Sequence, residues 1–210
     1  ELKNVDFFKK RFETVKKNRL DSKKKATQKF SEYPYRFVEI RKQFRDAIII
    51  PTTSSQRRKY LPVGYVDSDA IITAPNHAIY GGSFYTFSIL SSRMHLIWLE
   101  TIGGKVREDF RYSSEIVYNN FPIIIKDNQV KEELNNLALK ILDEREKFSE
   151  KTIADLYDPD FMPEGLLECH RNVDKVIEKC YKNTLFKNDE ERIETLFNLY
   201  EEMNKEFRLL

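Results

Sequence analysis

The hydrophobic period of the chain changes along its length, and this limits the fold more than any other feature. Over residues 3–29, Val5, Phe8, Phe12 and Val15 recur at spacings of three and four, so they share one helical face. Over residues 33–90 the character of the chain changes. Short β-prone runs, Ala47–Pro51, Tyr60–Val66, Ala70–Thr73 and Ala78–Tyr80, alternate with turn-forming clusters such as Thr52-Thr53-Ser54-Ser55 and Asp67-Ser68-Asp69. Helical period returns over 84–102, where Phe87, Leu90, Met94, Ile97, Trp98 and Thr101 form one stripe ended by Gly103-Gly104. A polar segment, 105–113, follows. Residues 129–209 read as three more helices. The second starts at Pro163. The third is capped by Asn188 with Glu191 three residues on, and carries a stripe from Ile193 to Phe207. The pattern predicts an α+β chain: a small mixed β-sheet with packed helices, then a C-terminal helical bundle.

Charge follows a gradient that the formal net value of +2 conceals. Residues 1–60 hold 18 Lys/Arg against 7 Asp/Glu, whereas residues 127–210 hold 13 against 21. A polyanion would be drawn to the front of the chain and repelled by its back. No apolar run approaches the ~20 residues of a membrane helix. The absence of an initiator Met suggests a piece of a longer protein. Cys169 and Cys180 lie on one expected helix, ~16 Å apart along its axis and beyond disulfide reach. They read as reduced thiols of a cytoplasmic protein.

Catalytic signatures are absent from the sequence. None of the six glycines sits in a phosphate loop or dinucleotide fingerprint. No Asn/Asp-Pro-Pro-aromatic run exists, and His77, His95 and His170 have no companions at metal-ligand spacing. Cys169-His170 sits mid-helix with nothing to activate a thiol. Asp158/Asp160 reads as a turn rather than a magnesium site. Binding signals are stronger. Gln56-Arg57-Arg58-Lys59-Tyr60 gathers three cations and a Tyr in one loop, and Lys105, Arg107 and Arg111 alternate after the Trp98 helix.

Residues 88–122 carry a resemblance to a known family. Ser88-Ile89-Leu90-Ser91-Ser92-Arg93-Met94-His95, Trp98, Gly104, Arg111-Tyr112-Ser113 and Val117-Tyr118-Asn119-Asn120-Phe121-Pro122 resemble the target-recognition domain of MmeI-like DNA methyltransferases. Ile50-Pro51, Arg57-Arg58 and the run from Tyr60 to Gly64 resemble the same domain. Leu156-Tyr157-Asp158-Pro159, Met162-Pro163, Leu166-Leu167, His170 and Val173-Asp174 are similar to the family's C-terminal helical domain. Many members are type II restriction–modification enzymes that join an adenine methyltransferase domain to this address reader.

The resemblance implies a connector helix over 1–30, a target-recognition domain over 31–126 and a C-terminal helical domain over 127–210. It implies that the catalytic domain and its S-adenosylmethionine site lie elsewhere in the parent enzyme, so this stretch holds no catalytic, cofactor or metal residue. Double-stranded DNA and that catalytic domain are the expected partners. Base contacts are expected from Lys105, Arg107 and Asp109 and from the loop bearing Asn76 and His77. Arg57, Arg58, Lys59, Arg111 and Tyr112 are the expected phosphate contacts. Two other readings stay open: a specificity module docking on a separate methyltransferase subunit through its basic helix, and an independent nuclease domain.

Overall fold

The computed structural model describes residues 5–38, 45–125 and 127–208, with side chains through Lys205. Residues 3 and 4 of the expected first helix and the Phe207 side chain lie outside the described residues. The chain falls into two compact units, Glu1–Gln43 and Phe44–Leu210.

In the first unit the basic amphipathic segment is two helices, not one: α1 (Asp6–Leu20) and α2 (Lys25–Lys29), then a 3₁₀ turn at Phe30–Glu32. The break has a local cause. Ser22 Oγ accepts the Lys24 N–H at 3.2 Å, and Gln28 Nε2 donates to the Ser22 carbonyl at 2.8 Å. Such side-chain bonds compete with the helical ladder. The Arg19 guanidinium then holds the returning chain, donating to the carbonyls of Phe30, Tyr33 and Arg36 at 2.8, 2.7 and 2.5 Å. Phe8 and Phe12 stack at 6.3 Å, half-buried as the stripe predicts.

The second unit begins with β1 (Ala47–Pro51), a continuous apolar run that becomes a central strand. The next strand, β2 (Thr53–Ser54), leaves for a second sheet. β3 (Gly64–Val66) and β4 (Asn76–Tyr80) flank β1, both antiparallel, with Ile49 opposite Gly64 and Ile50 opposite His77. The run expected at 70–73 forms no strand; a turn closes on the Ala70 N–H to Asp67 carbonyl bond at 3.2 Å.

The apolar stripe over 84–102 is carried by two helices, α3 (Phe84–Leu90) and α4 (Arg93–Ile102). Ser92 breaks the run because its Oγ accepts the His95 N–H at 3.2 Å while donating to the Ile89 carbonyl at 2.7 Å. Ser92 is wholly buried. Replacing it with Ala should lower stability by about 1–2 kcal/mol, read as a lower urea midpoint at unchanged slope.

The segment expected to be a polar loop is a hairpin of β5 (Gly104–Val106) and β6 (Asp109–Arg111), and the second sheet runs β2–β6–β5. Four helices complete the unit: α5 (Asn128–Glu146), the short α6 (Ile153–Leu156), α7 (Glu164–Tyr181) and α8 (Asp189–Arg208). Pro163 is the cap of α7 rather than its first residue, and Asn188 Oδ1 accepts the Glu191 N–H at 3.0 Å, as the sequence indicates.

One core runs through this unit. α5 packs on α3 and α7, and α4 on α8. Trp98 is buried among Phe121, Phe197 and Tyr200 and donates its Nε1–H to the Val117 carbonyl at 3.1 Å. Arg145 of α5 is buried too. It donates to the Val63 carbonyl at 2.8 Å and to the Tyr157 hydroxyl, tying the helices to the strand connection.

Candidate nucleic-acid interface

Thr52 is the single link between β1 and β2, and its backbone joins two distant segments. Its N–H donates to the Pro75 carbonyl at 3.2 Å, and its carbonyl accepts the Tyr112 N–H at 2.8 Å. Beside it, Pro51 pairs with Asn76 and Thr53 with Arg111. Asn76 and His77, expected in a loop, instead open strand β4, and they are fixed beside the Arg111 end of the β5–β6 hairpin, although more than thirty positions separate them in sequence.

The hairpin is short because Gly103 allows it. A Cβ there would stand 2.4 Å from the Leu99 carbonyl oxygen, so only glycine lets the chain leave α4 this tightly. At the tip, Arg107 has φ +58°. A left-handed backbone is uncommon outside glycine, Asn and Asp, and it strains the turn.

Lys105, Arg107 and Arg111 are exposed and Asp109 is half-buried; none of the four makes an ion pair among the described residues. The Lys105 ammonium lies 5.9 Å from the Phe110 ring. Asn76 is exposed, with its amide donating to the Thr73 carbonyl at 2.9 Å. His77 is half-buried, its ring 5.6 Å from that of Tyr112, and its shielded Nε2 has no hydrogen-bond partner among the described residues. The two rings line a cleft with Ser114, Tyr118 and Asn119.

Tyr112 itself is a correction. It is 2% exposed and its hydroxyl shares a hydrogen bond of 2.9 Å with His95 Nε2, so it belongs to the core and is not placed to meet phosphate. Burial also pushes its phenol well above the usual tyrosine range. The other expected phosphate residues remain near the surface. Arg57 is exposed and bonded to Asp160 at 2.7 Å; Arg58 is half-buried with Ser54 Oγ at 3.2 Å; Lys59 is exposed.

The buried histidines and Asp174 belong to the core. His95 and His170 are fully buried, and desolvation lowers both to about 3. His170 bridges the Ser91 carbonyl and the Tyr157 hydroxyl, at 3.1 and 2.5 Å. Asp174 of α7 accepts the Arg93 N–H at 2.7 Å and the Tyr60 hydroxyl at 2.6 Å, and burial pushes it up to about 6. Burial raises the Cys169 thiol, the opposite of an activated nucleophile. Among the described residues no group of three His, Cys, Asp or Glu could hold a metal ion, and no helix is long and apolar enough to cross a membrane.

Comparison with known proteins decides the family. Residues 1–124 match the family described as "MmeI, target recognition domain" and residues 125–208 the one described as "MmeI, C-terminal domain". The chain belongs to the MmeI family. It is 35% identical over 204 residues to DNA methyltransferase A of Bacillus subtilis (strain 168), covering 97% of this chain and 23% of that protein. It also superposes with a TM-score of 0.81, at 31% identity over 97% of this chain, on a solved structure of the type IIL restriction–modification enzyme MmeI in complex with DNA. There it spans 27% of the chain, so it corresponds to about a quarter of either relative. In MmeI terms, the Thr52 link, β4 and the hairpin fall in the recognition domain, and α5 to α8 in the C-terminal domain.

Proposed function

We propose that this chain reads the DNA target of an S-adenosylmethionine-dependent adenine methyltransferase in a restriction–modification system. The observation that carries the reading is the Thr52 link, which sets two polar segments, 73–77 and 104–111, side by side on a rigid base. Reading consecutive base pairs needs adjacent, fixed side chains of this kind.

The hairpin enters the major groove. Arg107 forks onto guanine, Lys105 donates to a neighbouring base, and Asp109 accepts from a cytosine amino group. Asn76 and His77 read from the start of β4, and Arg57, Arg58, Lys59 and Arg111 hold phosphates. The target adenine is then flipped into the catalytic part of the enzyme, which holds the methyl donor outside this chain. The membership and the DNA-bound relative support this reading, and with it a place in the cytoplasm, where such an enzyme meets its DNA.

The experiment is to map methylated sites by sequencing, using the intact polypeptide that carries this chain. Arg107→Ala should relax the preference at one base pair and leave the others. An identical methylated site would remove Arg107 from the set.

A second reading applies to residues 5–38 alone. Phe7, Leu20 and Phe37 are 69%, 52% and 51% exposed beside many lysines, and no residue of α1 is buried. This basic, partly apolar surface suits docking on the methyltransferase domain. Co-elution with that domain at micromolar concentration would support it, and loss of co-elution in Phe7→Ser would locate it.

A further inference from the structure

The acidic back of the chain argues that the C-terminal helices avoid DNA, yet the cleft beside the phosphate loop argues otherwise. Gln56 to Tyr60 forms one wall of an open pocket whose other walls come from α4, through Arg93 and Glu100, and from α7, through Leu167 and Arg171. Five cations line it against one carboxylate. Arg93 is already spoken for: its guanidinium bonds Glu100 at 3.4 Å and Asp189 at 2.5 Å. The remaining four differ. Lys59 has no ion pair among the described residues, and Arg58 meets only the Ser54 hydroxyl. Arg57 and Arg171 pair with acids outside the lining, Arg57 with Asp160 at 2.7 Å, and Arg171 with Glu164 at 2.7 Å and Glu168 at 3.6 Å. In all three pairs each side chain is about half exposed or more. Water screens such pairs, so their carboxylates yield readily to a phosphate.

The α4 wall of the cleft leads directly into the hairpin: Glu100 lies four residues before Gly104, where β5 begins. A duplex engaged by the hairpin would thus carry its flanking backbone across the pocket mouth.

We infer that Arg171 of the C-terminal helical region, with Arg58 and Lys59, forms a phosphodiester site on the DNA backbone flanking the bases read by the hairpin. The inference rests on the proposed function and adds a DNA contact from the part of the chain that charge alone assigns away from it. The ligand is the duplex backbone. Free inorganic phosphate shares the chemistry and is separated by the test.

The test is a salt series of binding to mixed-sequence duplex by the intact polypeptide. Each phosphate contact contributes ~0.9 to the slope of log affinity against log salt. Arg171→Gln should lower that slope by about one such unit and weaken binding roughly threefold to tenfold at low salt. It should leave sequence preference intact, and Arg171→Lys should keep the slope. The double variant Glu164→Gln with Glu168→Gln, which frees Arg171 from both carboxylates, should tighten binding, a change of opposite sign that lost folding does not give. Unchanged slope in Arg171→Gln, with normal wild-type binding, overturns the inference and leaves the DNA reading standing. No wild-type binding even at low salt overturns both. Inorganic phosphate alone is tested at matched ionic strength. If it raises the wild-type Tm but not that of Arg171→Gln while the duplex slopes agree, the site serves free phosphate and the inference is wrong.

Discussion

At pH 5 the chain should be about 2 kcal/mol less stable than at pH 7, well before general acid unfolding. The cause is the two core histidines. His95 and His170 are held near 3 in the folded state, whereas an unfolded histidine titrates at about 6.5. A depressed folded pKa means that the unfolded chain binds protons the folded chain refuses, so the stabilisation present above about 6.5 is lost as pH falls towards 3. Between pH 7 and pH 5 each histidine costs about 2 kcal/mol by this linkage. Asp174 opposes them. Its folded value, raised to about 6, makes it more favourable once protonated, and it returns about 1 kcal/mol over the same interval. Glu100, also raised by burial, pushes in the same direction. Urea unfolding at pH 7, 6 and 5 gives the net, and NMR of the two imidazoles gives the cause. A flat stability profile, or imidazoles titrating near 6.5, would sink the account.

Arg107→Gly should separate stability from reading. Glycine adopts φ +58° without the clash a Cβ brings, so the substitution should raise stability by about 1 kcal/mol. The same change removes the guanidinium, and a bidentate arginine–guanine contact discriminates by about 1–3 kcal/mol, or roughly 5-fold to 150-fold at one base pair. The variant should therefore be tougher and less selective. A stability loss would show that the turn is relaxed with arginine in place. A stability gain with unchanged selectivity would place the base contact elsewhere on the hairpin.

The α+β division and the C-terminal helices were legible because long apolar periods dominate local detail, as the stripes of α5, α7 and α8 show. Two boundaries were not. The stripe from Phe87 to Thr101 continues in phase across Ser91-Ser92, so periodicity alone could not reveal that Ser92 ends one helix and caps the next. The hairpin hid because its tip carries Arg107-Glu108 where such turns favour glycine or Asn. Its signal was the alternation in Asp109-Phe110-Arg111-Tyr112, outer residues first and third, inner ones second and fourth. That alternation would also have kept Tyr112 out of the phosphate set. Arg171 left no trace, since its partners in the cleft lie more than a hundred positions upstream.

The bonds that set the start of β4 and the β5–β6 hairpin side by side are made by main-chain atoms of Thr52, Pro75 and Tyr112. A main-chain bond survives almost any exchange of side chain. The frame therefore behaves like a type case in which letters can be swapped while their spacing stays put. On the proposed reading, substitutions at Asn76, Lys105, Arg107 or Asp109 should re-spell the target without shifting the line on which it is read.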